Sequence, residues 1–230
     1  MVYRLECDKC RSKRFPCNHR LFARVDFLLA VGARSTPLGR GSGAFTSRCK
    51  RDVDISEAVY EAVWSEASEP LRDAMDLAYL TGQRPGDVLK FNERQIVDGV
   101  FLIKKQSKTG TPLRIRVEGE FGQLLERIAN RKNKHKNWCS SLTVNLQGRA
   151  LTKHTLRNHF EPARAAAAIA HPEMADEIKA MWFYDLRAKA ADDTADDRGD
   201  QAAADLLGHK NVKTTQRHYL RRGKTVGPTR

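Results

Sequence analysis

The sequence predicts a mainly α-helical α+β fold that carries one small three-stranded antiparallel sheet. Three observations lead there. Apolar residues recur at helical spacing through most of the chain from Asp52 onward. The dipeptide Asp98-Gly99 stands between two β-rich runs, the pattern of a two-residue type I′ hairpin. Beyond a second turn, SKTGTP, the run LRIRV alternates apolar and polar positions as a half-buried strand does.

Each element has its own warrant. DISEAVYEAVWSEAS sets Ile55, Val59, Ala62 and Val63 on one helical face, with Asp54 or Ser56 as the cap. Pro70 opens a second helix that turns Leu71, Ala74, Met75, Leu77, Ala78 and Leu80 inward, and Gly82 stops it. Pro85 starts a third, because proline suits a first helical turn, and this puts Arg84 at a helix entrance. The three strands occupy ERQIVDGVFLIKKQSKTGTPLRIRV and leave Lys108 at the second turn, away from any core. EFGQLLERIANRK then buries Phe121, Leu124, Leu125 and Ile128. TKHTLRNHFEPARAAAAIA is an alanine-rich helix in which Pro162 predicts a kink. MWFYDLRAKAADDTADD forms another, with Trp182, Phe183, Leu186 and Ala190 available for burial. DQAAADLLGH is a short helix ended by Gly208, and VKTTQRHYLRR is the last helix, carrying Tyr219. There is no internal repeat.

Residues 1–50 read differently. They hold four of the five cysteines and the stretch STPLGRGSGAFTSR, and helical periodicity is poor, so they are expected to form an irregular or weakly ordered basic arm. Cys7, Cys10, Cys17 and His19 do not match the paired spacing of zinc knuckles, so free thiols are expected there and no metal. Residues 223–230 read as a short basic tail.

Lys and Arg number 41 against 28 Asp and Glu, a formal charge of +13 over 230 residues. Such an excess points to a polyanionic partner, nucleic acid being the commonest. The hydrophobic fraction of 40% still suits a soluble protein with a core. The longest apolar run, FLLAVGA at residues 27–33, falls short of the ~18 residues of a membrane span, so no membrane partner is expected. The run also lacks a secretory cleavage context, and the cysteines then read as reduced thiols of a cytoplasmic protein.

Four separated stretches share one chemical vocabulary: TGQRPGDVLKF with Arg84 and Asp87, SKTG with Lys108, YDLRAKA with Tyr184 and Arg187, and LLGHKNVKTTQRHYL with His209 and Tyr219. Singly, each has an ordinary explanation. Arg84 could be a surface charge, Lys108 a solvated turn residue and Arg187 half of an ion pair. His209 could end a helix, and Tyr219 could be a core aromatic with its hydroxyl at the surface.

Together and in this order they resemble the catalytic domain of the tyrosine recombinases, the phage-integrase family, over roughly residues 52–222. The resemblance implies a tyrosine-recombinase-like catalytic domain acting on double-stranded DNA by site-specific recombination, through a 3′-phosphotyrosyl intermediate. It implies no cofactor and no metal, a tetramer on DNA, and a setting in the bacterial nucleoid or in phage-derived DNA. It assigns Arg84 and Arg187 to the phosphate oxygens, Tyr219 to nucleophilic attack, and Lys108 to protonation of the leaving oxygen, with Lys105 as the nearby rival. Arg84, Arg187 and His209 would supply the positive field that activates a phenol of ordinary pKa ~10. Asp87 either orients Arg84 or is a first-turn carboxylate favoured by the helix dipole. His218, beside the nucleophile, reads as a DNA or surface contact.

One position departs from the family pattern. Tyr184 stands three residues before Arg187 where the family commonly has histidine. A phenol can donate a hydrogen bond to phosphate, but it carries no histidine charge. The arm at 1–50 also does not look like the helical domain that usually precedes this catalytic domain, which fits a truncated or rearranged integrase. A type IB topoisomerase shares the chemistry, and an inactive DNA-binding relic shares the motifs, so both remain alternatives.

Overall fold

A computed structural model describes residues 51–134, 139–223 and 228 of the chain. The arm at 1–50, with Cys7, Cys10, Cys17 and His19, lies outside the described residues, as does most of the tail at 223–230.

Helix α1 spans Glu57–Ser65, and of the two candidate caps it is Ser56 that accepts from the Val59 N–H. Its buried face is Val59, Tyr60, Ala62 and Val63, as its spacing requires. Helix α2, Glu69–Thr81, carries Pro70 in its first turn and ends at Gly82, whose φ of +61° is the left-handed conformation that glycine adopts without strain. Leu80, expected inward, is only half buried. Helix α3 is a single turn, Pro85–Val88, with Arg84 at its N-cap position.

Strands β1 (Ile96–Val97), β2 (Val100–Ile103) and β3 (Leu113–Arg116) form the sheet in the order β1-β2-β3, antiparallel throughout. Val97 pairs with Val100, and the intervening Asp98 and Gly99 have φ of +49° and +70°, as a type I′ turn demands. Phe101 of β2 anchors the sheet: its ring meets Phe91 at 4.7 Å and Phe121 at 5.9 Å, both edge-on. Phe121 belongs to α4, Gly119–Lys132.

Helix α5, Lys153–Ala170, runs through Pro162 as one helix. Helix α6 is Ala175–Ala180. Residues Phe183–Asp185 then form a 3-10 turn, and α7, Leu186–Arg198, starts later than its apolar pattern implies. The cause is Asp185. Its carboxylate accepts from the Trp182 backbone N–H at 2.8 Å and binds Arg51 and Arg221, which fixes a turn where a longer helix was expected. Trp182, expected to be buried, is 57% exposed and stands over the Arg51 guanidinium at 4.1 Å.

Helix α8, Asp200–Leu207, stops at Gly208 with φ of +69°, and α9 spans Val212–His218. Tyr219 lies just past the end of α9 and not within it. Alanine faces let α7 and α8 approach closely. Ala188, Ala191, Ala203, Leu207 and Tyr219 form a small core of their own beside the main one. Among the described residues no helix is long and apolar enough to cross a membrane.

Asp185 is fully buried, and Arg221 is nearly so. Removing a carboxylate from a buried pair leaves uncompensated charge. Asp185→Asn is therefore expected to cost about 3–5 kcal/mol of folding stability, read from urea unfolding midpoints. A loss below about 1 kcal/mol, the worth of an exposed pair, would mean that water reaches the site and that the pair is of surface type.

Candidate active site

The site forms where α2 stops, α7 starts and α8 stops. Gly82 turns the chain out of α2 so that its carbonyl accepts from Arg187 Nη1 at 2.5 Å. Arg187 Nη2 donates to the Leu207 carbonyl at 2.9 Å and to His209 Nε2 at 3.1 Å. Because an arginine only donates, Nε2 is the accepting nitrogen, and the imidazole proton sits on Nδ1, facing Thr215 Oγ1 at 2.8 Å. The ring of Tyr219 lies 5.0 Å from the Arg187 guanidinium and 5.1 Å from the His209 ring. Its hydroxyl is 3.0 Å from that of Tyr184.

Two glutamines hold the backbone of this junction. Gln83 Nε2 donates to the Thr81 and Leu206 carbonyls, both at 2.9 Å. Gln106 Nε2 donates to Gln83 Oε1 at 2.7 Å and to the Leu207 carbonyl at 3.0 Å. Both side chains are fully buried. A Cβ on Gly208 would stand 2.7 Å from Gln106 Nε2, so glycine is required there by contact as well as by φ. Gln106 opens the turn between β2 and β3 that bears Lys108.

Asp87 lies in the first turn of α3, the expected dipole position, and makes no bond to Arg84 among the described residues. Among the described residues its Oδ1 accepts from the Ser107 backbone N–H at 2.9 Å, which ties the Lys108 turn to α3 and leaves Arg84 alone. Lys108 itself is exposed, yet its charge reaches His209. The Arg84 side chain makes no hydrogen bond among the described residues, and its Nη1 is buried without a partner. Arg187 Nε is likewise buried and unpartnered. Lys105 is exposed on the same turn, and His218 is exposed at the end of α9.

The electrostatics follow from this crowding. Burial pushes the His209 imidazole down to about 4, with the charges of Arg187, Arg84, His218 and Lys108 adding to the effect. His209 is thus neutral near pH 7 and does not supply the positive charge expected of it. Burial also depresses Arg187, and the Arg84 charge beside it acts in the same direction. Burial and the hydrogen bond to Tyr219 push the Tyr184 phenol up to about 12. Burial would raise Tyr219 as well, but the Arg187 charge, the Tyr184 hydrogen bond and the Arg84 charge outweigh it and hold this phenol below its ordinary value. The two tyrosines are thereby pushed apart, one towards ionisation and one away from it.

Tyr184, Arg187, His209 and Tyr219 are thus in contact with one another, the charges of Arg84 and Lys108 act on this group, and Asp87 holds the Lys108 turn. Sequence reasoning missed Gln83, Gln106, Thr215 and Asp185. Only the buried amide of a glutamine directly before an expected helix entrance was a signal, and it was a faint one.

The family model described as "Phage integrase family" matches residues 53–225. The chain is 32% identical to the integrase of Escherichia phage HK022 over 171 residues, covering 72% of this chain and 46% of that protein. It is 29% identical to the integrase of Escherichia phage lambda over 187 residues, covering 80% and 51%. The chain thus spans about half the length of the curated relatives it matches. Among solved structures it resembles a lambda integrase dimer bound to a COC′ core site, with a TM-score of 0.64, 23% identity, and coverage of 82% of this chain and 66% of that one. XerA recombinase matches with a TM-score of 0.57 and 18% identity, covering 73% and 60%. At those identities the structures establish the fold: mostly helical, with a small three-stranded antiparallel sheet.

The opposed shifts of the two phenols can be measured. In an ultraviolet titration of phenolate absorbance, one tyrosine is expected to ionise at lower pH than a free phenol. Tyr219→Phe should abolish that early step. Tyr184→Phe should move it to higher pH, because the lost hydrogen bond is one of the influences that lower Tyr219. An early step that persists in Tyr219→Phe would place the activated phenol elsewhere.

Proposed function

Because the chain belongs to the phage integrase family, we propose that it cuts and rejoins double-stranded DNA at specific sites through a covalent bond to Tyr219, with residues 52–222 as the catalytic domain. One observation carries this reading. Arg84 and Arg187 lie near enough for their charges to act on each other, each has a buried N–H without a partner, Nη1 and Nε, and among the described residues neither makes an ion pair. Two like charges left unneutralised in this way suit an anion.

The steps follow from the chemistry of the groups. A phosphodiester enters with its non-bridging oxygens towards Arg84 and Arg187. The Tyr219 oxygen attacks phosphorus, the bond to the 5′-oxygen breaks, and a 3′-phosphotyrosyl link forms. The bond energy is kept in that link, so a 5′-hydroxyl from another strand can reverse the step without ATP. The Tyr219 proton passes to water, and the departing 5′-oxygen must gain one. Lys108, exposed on its turn and with its charge felt at His209, is the proposed donor. Tyr184 steadies the Tyr219 phenolate by donating a hydrogen bond. Solved lambda integrase structures that this chain resembles are a dimer bound to a COC′ core site and a tetramer bound to a Holliday junction. Several copies of this chain on DNA, four at synapsis, are the assembly this reading implies. DNA as substrate places it at a nucleoid or a phage genome.

A nicked suicide duplex tests the nucleophile. An adduct that survives denaturation is expected with the wild-type chain and not with Tyr219→Phe, while Arg84→Ala or Arg187→Ala slows its formation about 100- to 1000-fold. An adduct that persists in Tyr219→Phe sinks the assignment. Duplex binding with no adduct on any substrate would make the chain a DNA-binding relic.

Lys108 has a separate test. A 5′-bridging phosphorothiolate has a leaving group that needs no proton. Lys108→Ala should be crippled on the ordinary phosphodiester and restored on the phosphorothiolate. Equal loss on both would remove Lys108 from that role.

A further inference from the structure

Beside the Tyr184–Tyr219 pair runs an apolar groove that the chemistry above does not use. It encloses about 600 Å³ between α5 and the turn before α7, lined by Pro85, Leu156, Phe160, Trp182, Phe183 and Tyr184. Tyr184 belongs to both places: its ring lines the groove, and its hydroxyl meets that of Tyr219. Whatever fills the groove therefore lies next to the scissile phosphate.

Trp182 is the unusual member. It is 57% exposed, and with Tyr184, 40% exposed, it gives the groove an open aromatic rim and not a single stray apolar side chain. Trp182 is also held in place. Arg51 covers one side of the ring, and Asp185 binds both Arg51 and the Trp182 backbone N–H. The indole is thus a rigid plate with no apolar neighbour assigned to its open part. Cations line the groove as well. Lys153 makes no ion pair among the described residues, and its Nζ lies beside α3, 3.9 Å from where a Cβ on Gly86 would stand. The Arg157 side chain is 78% exposed, with Glu161 only as near as 3.9 Å. The groove acid, Glu161, is bound by Arg164 at 2.5 Å.

An apolar slot with a fixed aromatic plate, an unpaired lysine and an exposed, weakly paired arginine matches one partner chemistry, a nucleobase on a phosphate backbone. A base inside a duplex offers only its edge, because both of its faces are stacked. We propose that this groove takes an unpaired base of the DNA strand flanking the scissile phosphate, stacked on Trp182, with Lys153 and Arg157 on the neighbouring phosphates. The inference rests on the DNA reading above and adds a role for strand separation at the cut. Exchange of strands requires bases near the cut to leave one partner and pair with another. A plate beside the nucleophile would hold such a base in the interval.

The test uses the full chain, a fully paired duplex, and the same duplex with a short unpaired gap, compared by fluorescence anisotropy. The wild-type chain is expected to prefer the gapped duplex by about tenfold, in line with stacking of one base. Trp182→Ala should lose that preference while binding the paired duplex unchanged, and Trp182→Phe should keep part of it. A gap preference that persists in Trp182→Ala overturns the proposal. So does a Trp182→Ala chain whose self-association in sedimentation changes while its gap preference does not, since the groove would then belong to a second copy. If the wild-type chain binds paired duplex with no gap preference, the stacking site fails and the DNA reading stands. If it binds neither duplex, both fail together.

Discussion

The rest of the structure depends on a single buried guanidinium. Arg187 is 1% exposed, yet the partners it holds are carbonyl oxygens and a neutral imidazole. Other buried cations of the molecule are treated differently. Lys189 lies between Glu57 and Asp193, and Arg131 is bound to Asp73. Those charges are neutralised where they stand, as buried charges normally are. At Arg187 the fold bears the cost of a cation without a counter-ion among the described residues, and burial accordingly depresses its affinity for the proton. The three groups that hold it, Gly82, Leu207 and His209, come from the ends of α2 and α8. The same bonds therefore close the fold and keep a positive charge available.

Tyr219, the proposed nucleophile, is positioned by charge of the opposite sign. Asp192 accepts from the backbone N–H groups of Arg221 and Arg222 at 2.8 and 3.3 Å, and burial raises its carboxyl to about 6. Arg221 reaches Asp185, and Arg222 reaches Asp54, Asp193 and Asp196. The basic segment after Tyr219 is thus docked on aspartates of α7 and of the chain before α1. Its arginines are spent on position. The tyrosine ring is seated in the alanine-lined core between α7 and α8. Packing and ion pairs together fix where the hydroxyl points, which a nucleophile needs more than it needs strength of attack.

Much of this was legible in the sequence, and the reason is locality. The faces of α1, α2 and α4, the Asp98-Gly99 turn and the glycine stops at 82 and 208 depend on neighbours within a few residues. The order of the motifs brought Arg84, Arg187, His209 and Tyr219 into one reading before any coordinates. What stayed hidden depends on contacts across the chain. Asp87 has two local explanations, and its bond to Ser107 crosses 20 positions of sequence. Gln83 and Gln106 meet across 23. Trp182 looked like core because its apolar spacing is that of a buried face. The aspartate three residues later turned the chain, and that effect has no signature in periodicity. The state of His209 was hidden for a further reason: desolvation is a property of the assembled pocket, and no residue type announces it.

The same pocket makes sense of Tyr184. A histidine in its place would sit beside two guanidinium groups that already repel one another, and it would face the pressure that holds His209 neutral. Its charge would be the first thing lost, and with it the advantage of imidazole over phenol. A phenol asks for no charge. With its own pKa at about 12 it stays protonated while Tyr219 ionises, so it can keep donating to the phenolate throughout the range in which attack is possible. In the proposed reaction the transition-state charge then rests on the two guanidinium groups. In this arrangement the substitution at 184 removes a proton equilibrium from the site without removing a hydrogen bond.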